Sequence, residues 1–573
     1  MCGIAGIIEF NGNPDVKRLN EMLNLLSHRG PDNSGVFQNK NTCLGHRRLS
    51  IIDLSFKANQ PMVYENKAAV VYNGEIYNFL ELRKILQDKG YSFKSNSDTE
   101  TLLLGYLHWG EDIVNRIKGF FSFAIWDMKK QMLFCARDPF GKKPFYYYWN
   151  REKFVFPSEV EAVIKGIAFR PEPNYEGLSH YFLKGYFEPG HSAYKNIYTL
   201  KAGHILRFDT KRRYLEAHPY FVPKFSLDKV NISYEDALQE SERLMEQAVK
   251  RRLMADVPLG TLLSGGVDSS LATLFASKMT SEPVSAFTIS FKENEFDELP
   301  YAEKVANNPN INHMIRNVSD TNLISFLPKL VEAYGEPFGD YSAIPTYQVF
   351  KAIKQSLKVV LTGDGGDEVF GGYRGADMYL LREKIQPFAK FFSFLFYGWP
   401  DVSLSSKHRL IRQLSHACVA MRFNGADAFY SLYRDSWTKS WRRRLMRKEG
   451  WIRCGEDMVE RDFRKKYEAT GKTDMERYLN LTFERLTELF LVKVDRASMA
   501  HSIEVRCPML DVDLFDFTSK LPAKILFHNN TKKSIPKEIL AQKMGKRLAF
   551  RKKMGFTPPL NLWLRDKKNI EWM

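Results

Sequence analysis

The opening residues Gly3-Ile4-Ala5-Gly6-Ile7-Ile8 form an unbroken small and apolar run, which predicts a buried strand. Gly141-Lys142-Lys143-Pro144-Phe145-Tyr146-Tyr147-Tyr148 and Phe154-Val155-Phe156-Pro157 predict further strands joined by a turn. From Tyr234 to Met254 the period changes, and Ala237, Leu238, Leu244, Ala248 and Val249 recur at helical spacing. The run Val257-Pro258-Leu259-Gly260-Thr261-Leu262-Leu263 is short enough for a buried strand, and Leu271-Ala272-Thr273-Leu274-Phe275-Ala276 opens a helix. Pro283 to Phe291, with Val284, Ala286, Phe287 and Ile289, predicts another buried strand, followed by a helix through Ala306. Lys358-Val359-Val360-Leu361 predicts one more. Strands alternating with helices indicate an α/β doubly wound parallel sheet, with ligands at the carboxyl ends of its strands. Beyond Tyr214 proline and charge rise through Pro219, Pro223 and Lys224. A linker at 217–232 then divides the chain into a domain at 1–216 and a second at 233–573.

A chain of 573 residues exceeds one core and implies about two to four domains. No apolar run is long enough to cross a bilayer. The N-terminus lacks a basic leader and soon meets Glu9, which makes a poor signal peptide. Cys2, Cys43, Cys135, Cys418, Cys454 and Cys507 lie far apart with no C-x-x-C pair. That predicts reduced thiols in a cytoplasm rather than a disulfide framework or a zinc site. The net charge of +17 is partly local, in Trp441-Arg442-Arg443-Arg444 and Arg551-Lys552-Lys553. It reads as a solvated basic face, or one facing an anionic substrate, in preference to a nucleic-acid groove. The aromatic segment 388–399 reads as a core helix over the second half, with docking on a membrane surface or partner as the alternative.

Ser264-Gly265-Gly266-Val267-Asp268-Ser269-Ser270 falls between a predicted strand and a predicted helix. At such a junction backbone N–H groups and the positive helix end face an anion. Gly265 and Gly266 admit close backbone approach, and Ser264, Ser269 and Ser270 add donors for phosphate oxygens. Asp268 would repel phosphate unless a cation intervenes, and Mg2+ is the obvious one. The Gly-Lys-Ser/Thr of a Walker A loop is missing; the bland alternative is a βα turn without a ligand. Past the strand at 358–361 comes Thr362-Gly363-Asp364-Gly365-Gly366-Asp367-Glu368. Glycine pairs and three carboxylates at that place suit metal–phosphate chemistry. At the other end, loss of Met1 would leave Cys2 with a free α-amine. That amine has an ordinary pKa of about 7.7–8.0 and can serve as base for its own thiol. For Cys2 alone, a buried cysteine without function is the alternative.

These strings resemble known families. Ser-Gly-Gly-x-Asp-Ser is similar to the signature of PP-loop ATP pyrophosphatases, which cleave ATP between the α and β phosphates and leave an adenylated substrate. Cys2 is followed in order by His28-Arg29-Gly30-Pro31-Asp32, His46-Arg47-Arg48-Leu49-Ser50-Ile51-Ile52-Asp53 and Tyr72-Asn73-Gly74-Glu75-Ile76-Tyr77-Asn78. Ser97-Asp98-Thr99-Glu100 and Ala136-Arg137-Asp138-Pro139-Phe140-Gly141 come next. Together they resemble the class II glutamine amidotransferase domain, an α+β N-terminal-nucleophile hydrolase fold of two stacked sheets between helices. The resemblance implies Cys2 as nucleophile, with the Asn73 side chain and the Gly74 N–H as oxyanion donors. It implies Arg48 for the glutamine carboxylate and Asp98 for its ammonium, with Glu75 and the Leu49-Ser50-Ile51-Ile52 segment assisting. Read singly, Asn73-Gly74 is also a hairpin turn and Arg48 a surface charge.

The strings at 337–346, 362–373 and 493–511 resemble the C-terminal domain of glutamine-hydrolysing asparagine synthetases. The resemblance implies that Asp268 and Asp367 hold Mg2+ on pyrophosphate. It places ATP near Leu262, Ile289, Thr362 and Gly363, and an acceptor pocket along 337–346. Lys532 fits the lysine that draws on departing pyrophosphate, with Lys533 an adjacent contender. The implied reaction has Cys2 release ammonia from glutamine, which passes through an internal tunnel to an acyl-adenylate made from ATP and a carboxylate. The products are an amide, glutamate, AMP and pyrophosphate. Many asparagine-forming members carry Glu where this chain has Asp364. The resemblance makes aspartate the first expected acceptor, and this departure, in a Gly-Asp-Gly-Gly-Asp-Glu form that resembles the branch found with polysaccharide assembly, makes another carboxylate such as a sugar uronic acid the second. An RNA-modifying PP-loop enzyme is a weaker alternative, and no nucleic-acid partner is expected. The resemblance leaves a homodimer open. The chain stops soon after Trp563-Leu564-Arg565, earlier than many members, so a final helix is expected to be missing from this sequence.

Overall fold

The computed structural model describes residues 2–291, 298–318, 323–373, 375–377, 379–380, 458–552 and the single positions 426, 429, 444 and 565. The aromatic segment 388–399, the tryptophan at 563 and, except for Arg444, the basic run at 441–444 lie outside the described residues.

In the first half, two antiparallel sheets stack face to face. One runs edge to edge as β10 (Ile197–Thr199), β8 (Tyr146–Trp149), β9 (Lys153–Pro157), β1 (Gly3–Glu9), β3 (Thr42–Arg48) and β2 (Asn33–Asn39). The other runs as β12 (Tyr214–Pro219), β11 (His204–Asp209), β7 (Met132–Arg137), β6 (Gly119–Asp127), β5 (Ala68–Ile76) and β4 (Met62–Tyr64). Ile4, Ile8, Phe154 and Phe156 from one sheet meet Val71, Ala124, Trp126 and Phe208 from the other. The helices Val16–Leu25 and Val160–Ile167 cover the outer face of the first sheet. Phe79–Asp88 and Asp98–Trp109 cover that of the second. With both faces covered, β5 and β6 are buried at every position and read as continuous rather than alternating runs. This is the expected N-terminal-nucleophile sandwich.

The strand expected over 141–148 begins only at Tyr146. The Asp138 carboxylate accepts the N–H groups of Phe140, Lys142 and Lys143 at 3.1, 3.0 and 2.9 Å, and pulls the intervening chain into a turn.

The second half holds a sheet in the order β15 (Ile311–Val318), β14 (Val284–Phe291), β13 (Leu259–Leu262), β16 (Val359–Leu361) and β17 (Glu504–Arg506), every neighbouring pair parallel. β13 starts later than the apolar run because Pro258 has no N–H for the ladder. From β13 the chain winds to β14 and β15 on one side, then to β16 and β17 on the other. The order reverses between β13 and β16, so the ligand crevice lies outside their carboxyl ends. The loops at 264–270 and 362–367 leave those two ends.

Composition placed the linker three residues early, because 217–219 still pair with β11 as part of β12. The following residues are tied to the second half. Phe225 N–H donates to Asn480 Oδ1 at 2.6 Å, and Leu227 N–H donates to Glu476 Oε1 at 3.0 Å. The helix Tyr234–Arg252 then starts at its Ser233 cap. Among the described residues, no helix is long and apolar enough to cross a membrane.

Candidate active sites

The first site lies where β1 and β5 come together. Cys2 N–H donates to Asn73 Oδ1 at 2.9 Å, and the Cys2 thiol donates to the Leu49 carbonyl at 3.9 Å. Among the described residues Asn73 Nδ2 is buried without a partner, a donor left beside Cys2. Asn73 and Gly74 are not a hairpin turn: they lie inside β5, opposite Ser122 and Phe121. Gly74 is required by close packing, since a Cβ would come within 2.2 Å of the Phe120 carbonyl oxygen. Burial pushes the Cys2 thiol up, so attack at neutral pH needs a base.

Carboxylates crowd the same region. Asp98 begins the helix Asp98–Trp109, and its Oδ2 accepts from the Tyr72 hydroxyl at 2.8 Å and the Ile76 N–H at 3.0 Å. Burial raises its pKa to about 6, against the pull of those bonds. Glu75 is raised well above the carboxylate range by burial and then by Glu504 and Asp98. Arg506 lies 3.8 Å from Glu75 Oε2 and donates through Nε to Glu504 Oε1 at 2.6 Å. Despite burial, that guanidinium holds Glu504 down to about 2. Arg506 thus meets Glu504 and Glu75, while the Asp98 carboxylate lies apart from those contacts and is open to pair with a second cation such as an amino-acid ammonium.

Arg48 is buried rather than a surface charge. Its Nη1 donates to the Ser55 carbonyl and to Asn59 Oδ1, both at 2.8 Å, and Nη2 meets the Asp53 carbonyl, so it braces the 52–59 loop. Ser50 N–H donates to Asp32 Oδ2 at 2.8 Å. The Ile51 carbonyl already accepts from Asp256 N–H of the second half at 2.9 Å, and the Ile52 carbonyl lies 3.5 Å from Arg48 Nη2.

The second site forms at the sheet's switch point. Leu262, Gly363 and Ile289 lie toward the carboxyl ends of the adjacent β13, β16 and β14. Gly265 adopts φ +65°, and the hydroxyls of Ser264 and Ser269 lie 3.0 Å apart. The Ser269 hydroxyl donates to the Gly266 carbonyl at 3.2 Å, at the start of the helix Val267–Met279. Ser270 is fully buried in that first turn, its hydroxyl without a partner among the described residues. The 362–367 loop presses on this helix: a Cβ on Gly366 would sit 2.2 Å from Asp268 Oδ1. Thr362 donates to Asp364 Oδ2 at 2.6 Å.

Asp268 and Asp367 converge on one ammonium, and it belongs to Lys533 rather than Lys532. Lys533 Nζ donates to Asp367 Oδ1 at 2.8 Å and to Asp268 Oδ2. Lys532 instead pairs with Asp377. Lys533 has left-handed backbone angles (φ 56°, ψ 42°) just before the helix Ser534–Met544, which separates the paths of the two neighbouring side chains. Burial works against the Lys533 charge, but Asp268 and then Asp367 raise its pKa and keep it protonated. Among the described residues, no group of three or more His, Cys, Asp or Glu could cage a metal. Two carboxylates on one positive centre instead fit Mg2+, which keeps water and phosphate oxygens as its other ligands.

Other partners lie within motifs or charge runs whose spacing does not reveal them. Arg506 and Glu504 lie in the 493–511 string, without anything in their spacing to tie them to Glu75. Arg551 looked like surface charge, yet its Nη2 donates to the Gly265 carbonyl at 3.0 Å and to Glu298 Oε1 at 2.9 Å.

A buried Cys2 bonded to the Asn73 side chain in one half, and a parallel sheet with a glycine- and serine-rich loop at its switch point in the other, are the arrangement of a glutamine amidotransferase fused to an ATP-dependent synthetase. Residues 1–221 match the glutamine amidotransferase domain family, and residues 240–573 match the family described as asparagine synthase. The chain belongs to the asparagine synthase family. It is 31% identical to asparagine synthetase (glutamine-hydrolyzing) 1 of Bacillus subtilis, over 100% of this chain and 89% of that one. Asparagine synthetase (glutamine-hydrolyzing) 3 of the same organism is 30% identical, over 97% and 87%. Amidase chry2 of Gibberella zeae is 27% identical, over 93% and 84%. The chain is an enzyme of this kind, with glutamine-dependent amidotransferase chemistry and ATP as a substrate.

Proposed function

We propose that this chain makes asparagine from aspartate. Cys2, freed of Met1, attacks the glutamine amide, its α-amine taking the thiol proton. Asn73 Nδ2 and the Gly74 N–H receive the oxyanion, Asp98 and Glu75 hold the substrate ammonium, and Arg48 with the loop it braces meets the carboxylate. The departing nitrogen takes a proton and leaves as ammonia; water then releases glutamate from the thioester.

At the second site, the 264–270 loop and Lys533 hold the phosphates. Asp268 and Asp367 would hold Mg2+, which when bound neutralises charge on the pyrophosphate leaving group. The acceptor carboxylate oxygen attacks the α-phosphorus and displaces pyrophosphate. Ammonia then attacks the acyl carbon, losing a proton as AMP departs, and Asp364 lies nearby as acceptor for that proton. The observation that carries this reading is the convergence of Asp268, Asp367 and Lys533 at the switch point of a chain whose other half sets Cys2 on Asn73. The described cysteines Cys2, Cys43, Cys135 and Cys507 are all buried free thiols, which supports a cytoplasmic setting.

A second reading keeps the chemistry and changes the acceptor to a uronic acid. It is favoured by Asp364, one methylene shorter than Glu and already bound by Thr362, and by a relative named as an amidase. Pyrophosphate release with glutamine, ATP, Mg2+ and a panel of carboxylates separates the two. Aspartate is expected to give asparagine and pyrophosphate in equal amounts; turnover confined to uronic acids would sink the first reading.

Asp98 makes the first site pH-dependent. Its pKa is raised to about 6, so the charge that pairs with the substrate ammonium is present above that pH and lost below it. The kcat/KM for glutamine is expected to fall about tenfold for each pH unit below the break. Asp98→Asn should abolish the break and keep activity low throughout. An unchanged profile in that variant would remove Asp98 from the role.

A further inference from the structure

The helix Leu491–Met499 reaches the 337–346 segment and the Cys2 site through residues two positions apart. Lys493 serves the 337–346 segment: its Nζ donates to Asp340 Oδ2 at 2.9 Å and to Ser342 Oγ at 2.8 Å. Asp495 serves the first half. Its two oxygens accept Nη1 and Nη2 of Arg29 at 2.9 and 3.1 Å. Arg29 is fully buried, and its Nε donates to the carbonyl of Cys2 at 3.2 Å. Arg29 Nη1 also reaches Glu159 Oε1 at 2.8 Å, which Arg496 meets at 2.7 Å. The nucleophile is thus held through its own backbone by a guanidinium whose fork is closed from the other half of the chain.

A bidentate guanidinium–carboxylate pair fixes angle as well as distance. Here it fixes the guanidinium that bonds the Cys2 carbonyl, so the pair governs where the thiol stands. Residues two apart on a helix project about 200° apart. A small shift of this helix therefore moves both contacts together, one on each side.

We infer that Asp495 is a positioning residue for glutamine hydrolysis. The helix Leu491–Met499 transmits the state of the 337–346 segment, through Lys493 and Asp495, to Arg29 and Cys2. Ammonia release is thereby tied to the acceptor side of the synthetase. The inference rests on the proposed role of Cys2.

The test measures glutamate formation from glutamine by the full chain, without ATP or acceptor. Asp495→Asn keeps the shape but leaves one acceptor for two donors, and kcat should fall on the order of tenfold. Lys493→Met, in the other half, should shift kcat by about threefold or more, with KM in both variants within about twofold of wild type. Asp495→Glu, which restores a two-oxygen acceptor, should recover much of the loss. Melting temperatures confirm that each variant is folded. Should Asp495→Asn not fold, Arg29→Lys takes its place with the same expectation, because an ammonium lacks the second arm of the fork. A wild-type kcat in either the Asp495 or the Lys493 variant overturns the inference while leaving the role of Cys2 intact. Absence of glutamate formation by the wild-type chain overturns both.

Discussion

Cys2→Ala is expected to lower glutamine-dependent amide formation by about a thousandfold or more, while synthesis from ammonium salts continues near the wild-type rate. In the proposed mechanism the thiol forms the thioester, and neither Asn73 nor Gly74 can replace it. The loss should appear equally as failure to form glutamate. The second site uses different atoms: Asp268, Asp367 and Lys533 lie in the parallel-sheet half. Amide formation is therefore measured with glutamine and with ammonium chloride, using the acceptor that releases pyrophosphate. Loss of the ammonium-dependent reaction as well would contradict the separation of the sites.

The second large effect concerns the two neighbouring lysines. Lys533→Met should reduce pyrophosphate release by about a hundredfold or more, since it removes the charge aimed at the leaving group. Lys532→Met should stay within about twofold, because its exposed pair with Asp377 contributes little. Glutamine hydrolysis should survive both changes. Lys533→Met also removes the cation that Asp268 and Asp367 share, which is expected to destabilise the fold. A lowered melting temperature that Mg2+ partly restores would accompany the kinetic loss. If Lys532→Met proves the damaging change, the assignment drawn from the geometry fails.

Both lysines are visible as a pair in Thr531-Lys532-Lys533, where the resemblance favours Lys532 for the pyrophosphate with Lys533 as contender, and it is Lys533 that meets the two aspartates. What separates them is one residue in a left-handed conformation ahead of a helix. A non-glycine residue there is disfavoured by local sterics, and only the surrounding packing makes it hold. Composition likewise misjudged the end of β12, because charge and proline mark exposure but not the ladder partners that keep 217–219 paired. For Arg48 the alternative reading as a surface charge falls away, because it is buried as a brace for the 52–59 loop.

By itself the amino-acid sequence determined the two chemistries and the two folds. A glycine- and serine-rich loop between a strand and a helix is local information carried by a few adjacent residues with restricted backbone choices. Tertiary structure alone decided which charged groups meet. Arg29 and Asp495 stand 466 positions apart, and Lys533 and Asp268 stand 265 apart. No spacing rule reaches across such distances. Contacts of that kind arise when whole elements pack and buried charges must find partners. The first of these pairs ties the nucleophile to the synthetase half, and the second gathers the groups proposed to hold pyrophosphate.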